Sequence, residues 1–165
     1  MRRILTFFYS ALVALMVMAC SSETPDILPD IDDQENESQQ MTYKTLNITI
    51  NGQTKVCTLA DNSSVKALVE QLAKSDLTYE ADDYGNFEKV GSIGITLPQN
   101  NESITTTAGD IILYQGTSIC LYYGVNTWSF TRIGKIEGIS QSEMKTFVNA
   151  GGGSVKITLS LPSAN

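Results

Sequence analysis

Asn51-Gly52 falls between two short runs of alternating apolar and polar residues, and this arrangement constrains the fold more than any other feature of the chain. Before it, Leu46, Ile48 and Ile50 share one face while Thr45, Asn47 and Thr49 share the other, the period of two that a half-buried strand requires. After it, Thr54 to Leu59 read as a returning strand. Asn-Gly tolerates the two positive φ angles of a type I′ turn, whose twist matches that of paired antiparallel strands. The chain therefore begins its folded part with a β-hairpin.

The same grammar continues. Asp61-Asn62-Ser63-Ser64 offers N-cap oxygens ahead of Val65, Leu68, Val69 and Leu72, whose spacing predicts a short amphipathic helix to about Ala73. Beyond Leu77, apolar pieces at 92–97, 110–114, 119–123 and 128–133 are separated by Gly, Pro, Asn and Thr, and each reads as a strand. Gln115-Gly116-Thr117-Ser118 and Gly124-Val125-Asn126-Thr127 read as hairpin connections. Ser140-Gln141-Ser142-Glu143 has the form of a capping box, predicting a second short helix to about Ala150, stopped by Gly151-Gly152-Gly153. Val155, Ile157, Leu159 and Leu161 alternate as a last strand. Short antiparallel strands with two small helices predict a mainly β fold, a sandwich or a barrel; a closed barrel removes exposed edges.

The first 42 residues follow different rules. Arg2 and Arg3 precede a short apolar run from Ile4 to Val17, and Val17-Met18-Ala19-Cys20 reads as the cleavage box of a bacterial lipoprotein. The run is short for a bilayer crossing of about 20 residues; a plain transmembrane anchor and a non-lipid signal peptide are the alternatives. The expected organisation is a signal peptide at 1–19, an acidic flexible tether at 20–42 and one domain at 43–161, with lipid on Cys20. Asp26, Asp30, Asp32, Asp33, Glu35 and Glu37 crowd the tether without EF-hand spacing, so they read as a solvated spacer, not a Ca²⁺ loop. These features predict a membrane-anchored lipoprotein of the cell envelope. Ser21 after Cys20 favours the outer membrane or periplasmic face over the inner membrane.

Charge and composition exclude several functions. Removing Arg2 and Arg3 from 11 basic residues leaves 9 against 18 acidic ones, a net charge of −9. Nucleic acid rewards basic surfaces, so it is not an expected partner, and any hold on a membrane must come from the acyl chains. Histidine is absent, which removes Ser-His-Asp and Cys-His catalysis and imidazole zinc sites; no metal or cofactor is expected. Cys57 and Cys120 each sit in a strand-like run and read as buried free thiols, an exported location leaving a disulfide as the alternative. Asp82, Asp83 and Glu88 invite reading as an acidic cluster.

One set of segments is more specific. Residues 83–98 (DYGNFEKVGSIGITLP), 105–116 (TTTAGDIILYQG) and 122–136, running from Tyr122-Tyr123-Gly124 through Trp128-Ser129-Phe130-Thr131-Arg132-Ile133-Gly134-Lys135-Ile136, together with the opening hairpin, resemble a prokaryotic cyclophilin-like family of small β-barrels. The resemblance covers about 43–161. It implies a closed barrel of about eight antiparallel strands with two short capping helices. Cyclophilins themselves are peptidyl-prolyl isomerases whose site combines Arg, Gln, aromatic residues, Trp and His. This chain lacks His and shows no Arg-Phe-Gln spacing, and a shared fold does not carry a reaction with it. Past the signal peptide, Arg132 and Trp128 are the lone residues of their types; on one strand Trp128, Phe130 and Arg132 face the same side. They are the candidate ligand-binding residues, with Tyr114, Gln115 and Phe87 beside them, and Arg132 is the candidate catalytic group. Tyr84, Tyr122 and Tyr123 add to the aromatic supply around these motifs. The expected function is a lipid-anchored binding module taking a peptide or small ligand near Trp128 and Arg132. A prolyl isomerase acting on exported proteins and a structural subunit of an envelope complex are the alternatives.

Overall fold

The computed structural model describes residues 43–163. Nine strands and two helices follow in the order β1 (Thr45–Ile50), β2 (Gln53–Leu59), α1 (Ser63–Leu72), β3 (Leu77–Tyr84), β4 (Glu88–Ser92), β5 (Glu102–Thr105), β6 (Asp110–Tyr114), β7 (Ser118–Tyr122), β8 (Thr127–Lys135), α2 (Gln141–Phe147) and β9 (Val155–Ser160). Eight of the strands lie side by side as β2-β1-β9-β3-β4-β7-β6-β8, and β2 pairs back onto β8, so the wall closes into an antiparallel barrel. The ninth, β5, pairs with β8 alone and flanks the barrel. Among the described residues no helix is long and apolar enough to cross a membrane. The signal peptide, Cys20 and the whole tether lie outside the described residues.

The opening hairpin forms at Asn51 (φ 49°) and Gly52 (φ 77°), the positive pair a type I′ turn needs. Its register, Ile50 opposite Gln53 and Leu46 opposite Cys57, turns Leu46, Ile48 and Ile50 into the barrel, all but unexposed. Asn62 caps α1, its Oδ1 accepting from the Val65 N–H at 3.0 Å. Ser140 and Glu143 make the reciprocal capping box of α2. Val65, Leu68 and Leu72 from α1 and Met144 and Phe147 from α2 join the barrel core.

Closure depends on Gly134. At the β2–β8 seam it is paired with Leu59, and a Cβ there would stand 2.3 Å from the Thr58 carbonyl oxygen and 2.6 Å from Cys57 Sγ. No side chain fits.

Two local expectations are corrected. Residues 93–97 are a loop, not a strand, although Ile93 and Leu97 are buried. Gly124–Thr127 does not join a hairpin: β7 and β8 are not paired, and the segment steps across β6, which lies between them. Two hairpin-forming strands, β3 and β4, occupy a stretch whose apolar signal is diluted by Glu80, Asp82, Asp83, Glu88 and Lys89. Cys57 and Cys120 are both free and buried.

A second, smaller core lies outside the barrel. Along β6, Ile111 and Leu113 enter the interior while Ile112 faces outward; along β7, Ile119 and Leu121 point in while Cys120 and Tyr122 point out. The outward set packs with Phe130 of β8 and Ile104 of β5. This explains why β6 and β7 read as unbroken apolar runs: both of their faces are covered. A register shift between Ile111 and Ile112 leaves Ile133 as the extra residue of β8, its side chain buried in the barrel core.

Candidate functional site

The outer core is open at one end, forming a groove of about 360 Å³. Tyr122 and Phe130 are buried in its floor, their rings 5.8 Å apart, and Tyr114 meets Phe130 edge-on at 6.3 Å. Trp128 and Tyr84 form the rim, 63% and 64% exposed, and Val90, Asn126 and Glu88 complete the lining. Such a volume sits at the small end of the usual range for ligand sites, enough for one or two side chains.

The strand register places each of these groups. Glu88 is the cross-strand partner of Tyr122 and Val90 that of Cys120, so β4 shows its outward face to the groove. The turn between β3 and β4, with Gly85 at φ 59° and Asn86 at φ 57°, brings Phe87 back over Tyr122, their rings parallel within 4° at 5.9 Å. Tyr84 then meets Phe87 edge-on at 6.0 Å. The Phe87 carbonyl accepts from the Tyr123 and Gly124 N–H groups, which pins the segment leading to Asn126. Asn126 in turn donates from Nδ2 to the Tyr122 hydroxyl.

Glu88 is the chemically unusual member. It is 6% exposed, and its Oε2 has no hydrogen-bond partner among the described residues. Burial raises its carboxyl above the ordinary value, and the Tyr122 hydroxyl and Cys120 thiol beside it offset this only in part. Burial likewise pushes the Tyr122 and Cys120 groups up.

The candidate residues separate into two places. Trp128, Phe130 and Tyr114 line the groove, Phe87 supports its Tyr122 floor, and Gln115 donates from Nε2 to the Tyr114 hydroxyl at 3.2 Å on the margin. Arg132 is not part of the lining. It reaches the buried Asp110, Nη1 to Oδ1 2.5 Å, and Lys135 approaches the same oxygen at 3.1 Å. Burial opposes ionisation of Asp110, but the Thr107 N–H and the two cations outweigh it and lower its carboxyl. Tyr123 lies elsewhere as well, its hydroxyl donating to Asp83 Oδ1 at 3.1 Å. Asp82, Asp83 and Glu88 form no cluster: Asp83 binds Lys89, while Glu88 lies on the other face of β4.

Sequence reading passed over Glu88, Asn126 and Val90 as groove residues. Asn126 and Val90 carry no individual signal. Glu88 shows in sequence only as a charge between Phe87 and Lys89, and its place in the groove depends on the pairing of β4 with β7. Another concavity, of about 390 Å³, lies between α1 and the end of β2 near Tyr43, and no unpartnered buried polar atom faces it. Among the described residues no group of three or more carboxylate or thiol side chains comes together to hold a metal.

A closed eight-stranded barrel with capping helices and an aromatic groove on its outer wall defines a small cyclophilin-like domain. The chain belongs to the cyclophilin-like family, whose sequence pattern matches residues 48–160. No curated protein matches it. Among solved structures it is similar to the hypothetical protein AF2241 from Archaeoglobus fulgidus, with TM-score 0.53 and 15% identity over 73% of this chain and 95% of that one. It is also similar to McbB, solved in complex with tryptophan, with TM-score 0.56 and 14% identity over 73% of this chain and 45% of McbB. At these identities the likeness is one of fold.

Proposed function

We propose that this protein is a lipid-tethered binding module of the bacterial envelope that takes a peptide or small ligand into its aromatic groove. The observation that carries the reading is Trp128, 63% exposed at the rim of a concave surface floored by buried Tyr122 and Phe130. A large ring left in water over an apolar hollow marks an interaction surface, since a ligand that covers it removes that area from solvent. Arg2, Arg3, the apolar run and Cys20 support the location half of the proposal. Prolyl isomerisation has less support, because the chain has no His and Arg132 is engaged by Asp110 away from the groove.

Trp128 is the chain's one tryptophan, so its emission reports on the groove alone. Titration with N-acetylated amino-acid amides that carry no indole, including proline and phenylalanine amides, is expected to shift that emission saturably. No response across the panel overturns the binding reading. Catalysis in a protease-coupled assay on proline peptides would instead assign an isomerase. Incorporation of labelled palmitate that is lost in Cys20→Ser tests the tether.

A further inference from the structure

We infer that the groove selects an organic cation, an aliphatic ammonium such as a lysine side chain, seated with its charge against Glu88 and its stem beneath Trp128. This deepens the proposed binding function and rests on it. Glu88 lines the groove, is 94% buried, and leaves Oε2 without a partner. Oε2 is already shut away from water without a donor, so the carboxyl lining the groove lacks a counter-charge; an ammonium brings one to it, and an apolar ligand brings none. An anion would meet the carboxyl directly.

The walls favour the same occupant. Tyr84, Tyr114, Tyr122, Trp128 and Phe130 present rings whose faces carry partial negative charge and attract cations. No basic residue lines the groove to satisfy Glu88 from within. Lys89, its neighbour, is turned to the other side of the wall and held by Asp83, while Arg132 and Lys135 are held by Asp110. The net charge of −7 adds a general attraction for cations.

The test uses the full chain in a non-ionic detergent and two probes that differ by one amine, N-acetyl-lysine amide and N-acetyl-norleucine amide. Trp128 emission and calorimetry are expected to give about tenfold tighter binding of the lysine amide. In Glu88→Gln the preference should shrink to within about twofold, with norleucine amide affinity unchanged. A second measurement needs no variant: lowering the pH should erase the wild-type preference as Glu88 protonates, the lysine ammonium staying charged throughout. The titratable groups beside Glu88 are Tyr84 of β3, Tyr114 of β6, Cys120 and Tyr122 of β7, and Tyr123 just after it; exposed Glu102 of β5 stands opposite Phe130, another lining residue. Of these, Glu102 is the other carboxylate, so Glu102→Gln is the control and should keep the pH effect. Equal or better binding of norleucine amide overturns the cation inference while leaving the groove a binding site. A lysine preference that survives in Glu88→Gln overturns the role of Glu88. Silence from both probes overturns the groove reading itself.

Discussion

Glu88 and Lys89 are neighbours on β4 that bury their charges on opposite sides of the barrel wall. Lys89 is fully buried, with Nζ 2.6 Å from Asp83 Oδ2 and bonded to the Gly153 carbonyl, and Asp83 also accepts from the Gly151 N–H at 2.9 Å. The inward charge is thus satisfied and fastens the glycine loop after α2. The outward one has an oxygen with no partner.

That difference predicts an asymmetric pH profile of stability. Burial opposes ionisation of Asp83, but Lys89, Tyr123 and Gly151 outweigh it and lower its carboxyl, as the partners of Asp110 lower that one. Their contribution is present above the ordinary value of 3.8 and is lost as the pH falls below it. Glu88 is raised, so its contribution is full below 4.5 and is lost as the pH climbs through its folded value. Urea midpoints should peak in weak acid. Glu88→Gln should be more stable than wild type at pH 8, the two converging near pH 4; a wild-type advantage at pH 8 would contradict this.

The Lys89–Asp83 pair should behave as a unit. Asp83→Ala leaves the ammonium buried without its counter-charge and is expected to cost about 3 kcal/mol. Adding Lys89→Met to that variant should recover much of the loss. A double-mutant cycle in urea reads the coupling, and simple additivity of the two changes would refute it.

Gly134→Ala tests closure of the barrel. The added methyl must displace the Thr58 carbonyl or the Cys57 sulfur, and overpacking of this kind costs about 1–3 kcal/mol. A lowered melting temperature is expected. An unchanged melt would mean that the β2–β8 seam is not tightly packed.

Arg132→Ala separates stability from recognition. It removes one cation from buried Asp110 and leaves Lys135, so a loss of about 1–2 kcal/mol is expected. Probe affinity measured by Trp128 emission should stay within twofold of wild type, because Arg132 is outside the groove lining. A large loss of affinity in a folded variant would return Arg132 to the site.

The thiols should be inert until the barrel opens. Burial pushes Cys57 up to about 12 and raises Cys120 as well, so neither offers thiolate to a reagent at neutral pH. In a Cys20→Ser chain, iodoacetamide should label neither in native buffer and both in denaturant. Rapid native labelling of either would show local opening.

How far the sequence could be read depended on whether a residue's partner was local. Asn51-Gly52 and Ser140–Glu143 carry their own geometry within four residues, and both the turn and the capping box form as their spacing predicts. Trp128 and Phe130 alternate on one strand and so could be placed together. Arg132 is two residues further along the same strand, but its direction is set by Asp110, 22 positions away on β6. The same limit hid Glu88: nothing local reveals that β7 lies opposite it and that Tyr122 is its cross-strand partner. Gly124–Thr127 has turn residues, yet whether a turn joins adjacent strands is decided by the sheet order, which short-range pattern does not encode.

The alternation along β4, β6 and β7 assigns inward side chains to holding the barrel and outward ones to shaping the groove, on one shared backbone. Two kinds of selection can therefore act on adjacent residues with little interference. Exchanging Val90, Tyr114 or Trp128 would reshape the groove while Ile111, Leu113 and Ile119 keep the wall closed. A barrel built this way can remodel its groove over time one outward residue at a time, without ever passing through an unfolded ancestor.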